Sequence, residues 1–212
     1  MGFIRRVMSL MCIQFIFTMV MCILPIASST IREGILKVWY VGVAFLLLTI
    51  ILSCVVFCGR KVMKKHPACD ILMVAFVVSF TYVLMWICAA TAPIVILIAV
   101  VQVLLVFISI TIYSFMVEMT RPCASISIGM AAAFLGFCIF APWNLEYIGA
   151  MIGTLFIVIF FSLLIVYDLL LIAGGKYIED GMTYDDYMIA SLMLYVDLVA
   201  FFMLVIYCFS GK

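Results

Sequence analysis

Hydrophobic residues in this chain are grouped in long runs, and short polar segments separate one run from the next. A transmembrane helix needs about 20 consecutive, mainly apolar residues. Seven runs approach or exceed this length, and we predict that each forms a membrane-spanning helix. Their approximate bounds are residues 7–28, 39–58, 71–90, 94–117, 125–140, 148–173 and 188–209.

The segments between the runs are too short to hold a soluble domain. Consecutive helices joined by short connections pack antiparallel to one another. We therefore predict an all-α polytopic membrane protein in which residues 1–212 form a single bundle of about seven transmembrane helices.

The composition supports this fold class. Hydrophobic residues make up 70% of the 212 positions and charged residues only 10%, whereas a soluble domain carries roughly 25% charged residues. Most of the surface must therefore face lipid, which makes the bilayer the first predicted partner. The formal net charge is +1, so no basic field indicates binding to nucleic acid.

The first run has an alternative interpretation as a cleaved signal peptide. Arg5 and Arg6 precede it, and small residues follow Pro25. A signal peptide has an apolar region of about 7–15 residues, and this run is longer. We expect it to be retained as the first span.

Basic residues between the runs predict the orientation, because cytoplasmic loops carry an excess of Lys and Arg. With a cytosolic N-terminus, most of the basic residues lie inside: Arg5, Arg6, Arg60, Lys61, Lys64, Lys65, Arg121 and Lys176. Arg32, Lys37 and Lys212 then lie outside. A re-entrant last segment would return the C-terminus to the cytosol.

Two aspartates interrupt the last two apolar runs. Asp168 and Asp197 each have apolar residues on both sides. An aspartate at the centre of a span costs roughly 2.5–3.5 kcal/mol, so such a residue usually faces a cavity or a partner. At 1.5 Å per residue, the two lie about 7 Å and about 13 Å from the inner ends of their helices. If both face the bundle, they can approach each other.

Close carboxylates in a medium of low dielectric cannot both ionise without a large cost, so we expect the pair to share a proton. The pair would then be a pH sensor, or a cation site when deprotonated. Arg60, at the inner end of the second run, is the nearest candidate counter-charge. Alternatively, Asp168 reaches the interface or pairs with Lys176, and Arg60 only belongs to the loop that orients the chain.

Gln14 and Gln102 are the other polar side chains well inside the runs. We expect them to form hydrogen bonds between helices, or to line a pathway. The nine cysteines are scattered and the chain has one histidine. We therefore interpret the cysteines as small hydrophobic residues and not as zinc ligands.

Several short motifs resemble the Bax-inhibitor-motif family, also called the transmembrane Bax inhibitor or Lifeguard family. The clearest are Tyr167-Asp168, Gly174-Gly175-Lys176, the segment 185–187 and Leu194-Tyr195-Val196-Asp197. Weaker similarity covers Ile4-Arg5-Arg6-Val7 and the segment 111–115. The layout of seven spans is similar over the full length.

This resemblance implies a pH-sensitive Ca²⁺ leak channel in an intracellular membrane, the endoplasmic reticulum or Golgi, that opposes cell death. It implies that Asp168 and Asp197 form a proton-sensitive pair that also binds Ca²⁺ transiently. Arg60 would be the counter-charge that latches one state. The implied partners are the bilayer, Ca²⁺, H⁺ and cell-death regulators in the membrane, with no cofactor besides the transported ion.

The alternatives to a leak are an enzyme and an interaction protein. An intramembrane aspartyl protease also needs two aspartates that share a proton. Its second motif is Gly-x-Gly-Asp, whereas this chain has Leu-Tyr-Val-Asp ending at Asp197 and no Pro-Ala-Leu motif after it. We therefore predict no enzymatic activity and no catalytic residue. The remaining alternative is an interaction protein that modulates cell-death signalling without transport.

Overall fold

The computed structural model describes residues 2–58, 68–116, 122–140, 148–173 and 187–210. These residues form helices with only short breaks, and no strand occurs among them. The helices are α1 (Gly2–Ala27), α2 (Ser29–Lys37), α3 (Trp39–Cys58), α4 (Ala68–Ala90), α5 (Pro93–Met116), α6 (Pro122–Phe140), α7 (Ile148–Ala173) and α8 (Tyr187–Ser210). The predicted all-α class is confirmed.

Within the described part of the chain, five helical segments are long and apolar enough to cross a membrane. They are Arg5–Ala27, Trp39–Val56, Ala68–Ala90, Pro93–Ile112 and Tyr187–Cys208. A shorter apolar segment, Leu155–Asp168, lies in α7. The chain is thus a multi-pass membrane protein, as predicted.

Two helices begin at a proline. Pro93 and Pro122 are the first residues of α5 and α6, and the second of these helices begins three residues before the predicted span. Proline suits the first helical position because its backbone nitrogen has no hydrogen to leave unpaired there. Asp70 lies in the first turn of α4, where a negative charge is favourable near the positive end of the helix dipole.

Helix α2 was not predicted. It follows Ser28, whose extended backbone separates it from α1. The guanidinium group of Arg32 donates from Nε to the carbonyl oxygen of Ala89 at 2.8 Å and from Nη2 to that of Thr91 at 3.2 Å. These carbonyls lie at the end of α4, where a positive charge stabilises the helix. These two hydrogen bonds from Arg32 therefore hold α2 against the end of α4.

The chain divides into two compact units, which we describe one at a time. The N-terminal unit is Leu10–Pro93, and the C-terminal unit contains the described residues through Ser9 and from Ile94 onward. The prediction that residues 1–212 form a single bundle stays a prediction.

In the N-terminal unit, α4 is the central element. Both α2 and α3 pack against it. The rings of Phe45 and Tyr82 lie 4.4 Å apart between their centroids, and Gly42 faces the indole of Trp86 so closely that a Cβ atom at Gly42 would lie 2.7 Å from its Cδ2. A glycine at this position lets α3 and α4 approach.

Helix α1 contacts α4 through small polar groups. The hydroxyl oxygens of Thr18 and Thr81 lie 3.0 Å apart, and both side chains are buried. The Thr18 hydroxyl also donates to the backbone carbonyl of Gln14 at 2.9 Å. Further along the same two helices, the buried thiols of Cys22 and Cys88 are in hydrogen-bond contact.

In the C-terminal unit, α7 packs against both α6 and α8. Helix α8 supplies most of the core. Its fully buried side chains include Leu192, Leu194, Tyr195, Leu198, Phe201, Phe202 and Val205. A spanning helix with so many buried positions is surrounded by protein on most of its circumference.

The close approach of α3 and α4 predicts the effect of Gly42→Ala. Alanine favours helix over glycine by up to about 1 kcal/mol, but its methyl group would overlap Trp86. Overpacking costs about 1–3 kcal/mol, so we expect a net loss of stability. Thermal unfolding of the purified protein in lipid nanodiscs measures it.

Gly153→Ala is the matched control, because a Cβ atom there would have nothing within 4 Å. It should leave the melting temperature equal or slightly higher. A Gly42→Ala variant as stable as Gly153→Ala would contradict the packing described for α3 and α4.

Candidate functional site

The two intramembrane aspartates lie on adjacent helices of the C-terminal unit. Asp168 is five residues before Ala173, the last described residue of α7, and Asp197 is ten residues after Tyr187, the first of α8. These intervals correspond to about 7 Å and about 15 Å along the helix axes. Because α7 and α8 pack together, both residues lie along one helix interface.

The structure brings the two side chains together. The carboxyl groups of Asp168 and Asp197 are in hydrogen-bond contact, and both residues are partly buried. Two ionised carboxylates can only accept hydrogen bonds, so a hydrogen bond between them requires a proton on one of the two. The structure shows this contact, and the sharing of a proton by the pair stays a prediction.

An aromatic contact shows how the two helices run. The rings of Phe161 and Phe201 are stacked with centroids 5.7 Å apart and planes inclined by 15°. Phe161 lies seven residues before Asp168 on α7, whereas Phe201 lies four residues after Asp197 on α8. The two helices are thus antiparallel, as the sequence predicted.

Buried apolar residues lie within three positions of each aspartate along its helix. Ile165 and Val166 on α7, and Leu194 and Leu198 on α8, are all buried. In such surroundings the interaction between two like charges is much stronger than in water. Two ionised carboxylates at this position would therefore repel each other strongly.

The tyrosines of the two motifs occupy different environments. Tyr167, beside Asp168, is 58% exposed, whereas Tyr195, two residues before Asp197, is fully buried. Tyr195 thus belongs to the core of the C-terminal unit, and Tyr167 lies on its surface. The sequence placed both in apolar runs and could not separate these positions.

The pair offers at most four carboxylate oxygens. Ca²⁺ takes six to eight oxygen ligands, and no group of three or more metal-binding side chains lies together among the described residues. A Ca²⁺ ion at this pair would need water or backbone carbonyls to complete its shell. Such a site suits brief occupancy better than storage.

The predicted counter-charge lies outside the described residues. Arg60, and also Lys176, follow the described ends of α3 and α7 respectively. The role of Arg60 as a latch, the pairing of Lys176 with Asp168 and the proton and cation roles of the two aspartates stay predictions.

The two glutamines within spans differ from each other. Gln102 on α5 is buried, and a Cβ atom added at Gly136 on α6 would overlap its amide group, so it lies directly against α6. Gln14 is equally buried, but neither its amide nitrogen nor its amide oxygen has a hydrogen-bond partner among the described residues. The expected hydrogen bond between helices is wrong for Gln14.

Comparison with known proteins identifies the family. The family model described as "Inhibitor of apoptosis-promoting Bax1" matches residues 1–212. The chain is 29% identical over 215 residues to Protein LIFEGUARD 3 of Arabidopsis thaliana, a match that covers 95% of this chain and 81% of that protein. No solved structure matches the chain significantly.

A family model that extends over the whole chain agrees with the motifs on α7 and α8 and with the multi-pass helical architecture. The chain belongs to the Bax-inhibitor family, whose members include the Lifeguard proteins.

Proposed function

We propose that this protein is a pH-sensitive Ca²⁺ leak channel of intracellular membranes that opposes cell death. The observation that supports the proposal best is the contact between the carboxyl groups of Asp168 and Asp197 on two spanning helices. Membership of a family described as an inhibitor of apoptosis-promoting Bax1 supports the role in cell death.

Loss of the shared proton is the proposed trigger. It leaves two negative charges close together, and unit charges about 4 Å apart repel by about 4 kcal/mol at an effective dielectric constant of 20. That energy is relieved if α7 and α8 separate at this level, or if a cation enters between the carboxylates. The same pair then senses H⁺ and admits Ca²⁺, and Arg60 latches the closed or the open state.

A leak requires a site that binds its ion weakly. The two carboxylates supply too few oxygens for a full Ca²⁺ shell, so the ion exchanges rapidly. In this proposal Ca²⁺ is the transported ion and no resident cofactor takes part. The protein is not an enzyme, and its aspartates bind protons and cations without attacking a substrate.

The proposed location is the membrane of the endoplasmic reticulum or Golgi, with the N-terminus in the cytosol. The excess of basic residues in the loops assigned to the cytosol supports this orientation. It places Asp168 nearer to the cytosolic side. Cell-death regulators in the same membrane are the proposed protein partners.

Asp197→Asn should abolish the pH dependence of Ca²⁺ flux. Asparagine has nearly the same shape and can donate a hydrogen bond to Asp168, but it cannot titrate. The purified chain is reconstituted in liposomes that contain a Ca²⁺ indicator, and the leak rate is measured from about pH 5 to pH 8, because burial can raise the pKa of a carboxyl group by several units.

Asp70→Asn is the matched control, because Asp70 lies in the first turn of α4 in the N-terminal unit. Its pH profile should follow that of the wild type. Equal flux from the wild type and Asp197→Asn at every pH would remove the proposed gate.

The leak and the interaction hypothesis make opposite predictions for cell survival. If protection depends on Ca²⁺ flux, cells that express the Asp168→Asn, Asp197→Asn double variant should lose both the leak and the protection. Survival after a death stimulus and Ca²⁺ release from the store are measured in the same cells at equal protein levels. Full protection without a leak would favour an interaction protein.

A further inference from the structure

A groove lies between α1 and α4 in the N-terminal unit, and it is separate from the residues of the aspartate pair. Its cavity volume is about 260 Å³. We call it the α1–α4 groove, and its lining residues are Leu10, Ile13, Gln14 and Phe17 on α1 and Met73, Val74, Val77 and Val78 on α4. Every lining residue except Gln14 is apolar.

The groove opens toward the lipid. At its rim, Ile13 is 65% exposed and Val74 is 57% exposed, and both belong to segments long and apolar enough to span the membrane. Exposed apolar faces of spanning helices contact hydrocarbon chains. A ligand of this groove therefore enters from the bilayer and has an apolar body.

Gln14 is the exception in this lining. It is only 4% exposed, and both its amide nitrogen and its amide oxygen lack a hydrogen-bond partner among the described residues. The nearest polar neighbour on α1 is Thr18, whose hydroxyl already pairs with the Gln14 backbone carbonyl and with Thr81. An amide left unpaired away from water is costly, and here neither the N–H donors nor the oxygen acceptor of the Gln14 amide is paired among the described residues.

The depth of Gln14 restricts the charge of the missing group. Gln14 lies nine residues after Arg5 and thirteen before Ala27, the ends of its spanning segment. These intervals are about 14 Å and about 20 Å along the helix, so Gln14 is near the middle of a hydrocarbon core about 30 Å thick. A charged head group is excluded at this depth by its desolvation cost.

We propose that the α1–α4 groove binds a fatty-acid-like molecule whose neutral carboxylic-acid or primary-amide head pairs with the side chain of Gln14. A protonated carboxyl group has a donor and an acceptor side by side, and so has a primary amide. Either head can form two parallel hydrogen bonds with the Gln14 amide and satisfy both unpaired atoms.

The remaining features fit such a ligand. The apolar side chains of both walls contact its chain, and the volume is slightly below the 300–1,000 Å³ range of pockets for drug-sized molecules. The groove thus holds the head and the first part of the chain, while the rest stays in lipid. Pairing takes a rotation about the side-chain torsions of Gln14, since its amide atoms lie beneath the groove surface.

Photolabelling of the full chain tests this inference. The purified protein in phosphatidylcholine nanodiscs is labelled with decanoic acid that carries a mid-chain diazirine, and the labelled peptides are identified by mass spectrometry. We expect label on the groove residues of α1 and α4. Unlabelled decanamide should compete at every pH and decanoic acid only when protonated, whereas decane should not compete.

Three variants separate recognition by Gln14 from general contact with lipid. Gln14→Leu should reduce labelling about tenfold or more, because both hydrogen bonds to the head group are lost. Val78→Trp should reduce it by filling the groove while Gln14 stays in place. Gln102→Leu, which changes the buried glutamine of α5, should label like the wild type.

The competition pattern also identifies the head group. If decanamide and protonated decanoic acid both compete, the groove recognises the adjacent hydrogen-bond donor and acceptor that the two heads share. The pH profile then shows which of the two heads binds more tightly. Equal labelling of the wild type and Gln14→Leu, or competition by decane as strong as that by decanamide, would overturn the inference. Folding of each variant is checked by its helical circular dichroism in the same nanodiscs.

Discussion

Hydrocarbon cannot form hydrogen bonds, and this constraint decides the role of nearly every polar group in the described helices. The backbone satisfies it by forming helices. Hydroxyl groups satisfy it locally: Thr49 donates to the carbonyl oxygen of Phe45 and Ser109 to that of Leu105, each one turn back along its own helix. Only side chains that cannot be satisfied locally carry information about tertiary contacts or ligands.

Three such side chains meet the constraint in different ways. Arg32 places its charge on the carbonyls at the end of α4, where the helix dipole favours it. Asp197 meets a second carboxyl group, that of Asp168. Gln14 meets nothing among the described residues. The first arrangement joins two helices, the second is the basis of the proposed pH gate, and the third is the basis of the proposed ligand site.

The sequence predicted the features that depend on apolar length and on residue order. The all-α class, the multi-pass membrane architecture and the antiparallel contact of α7 with α8 follow from runs of hydrophobic residues and short connections. The approach of the two aspartates follows from the same reasoning together with the cost of an isolated charge in lipid. Helix α2 was missed because its nine residues are too few and too polar to resemble a span.

Other features depend on which residues pack against a given side chain, and a single sequence does not contain this information. Gln14 and Gln102 both occur in apolar runs, yet Gln102 lies against α6 because Gly136 leaves room for its amide, and Gln14 lines the apolar α1–α4 groove. Likewise, Tyr167 and Tyr195 each lie within two residues of an aspartate, but only Tyr195 turns into the core. Both distinctions arise from the packing partner and not from the local pattern.

The energy of the aspartate pair is of the right size for a switch. A repulsion of about 4 kcal/mol between unit charges about 4 Å apart changes an equilibrium constant by about a thousandfold, since about 1.4 kcal/mol corresponds to a factor of ten. In the proposed mechanism, the state with α7 and α8 in contact is favoured about 30 to 1 when the proton is bound. Loss of that one proton makes the separated state favoured by about 30 to 1. A fully buried pair would be held by a larger energy and would respond to pH less readily. In the proposed mechanism, the partial burial of Asp168 and Asp197 therefore keeps the repulsion within the range of a switch.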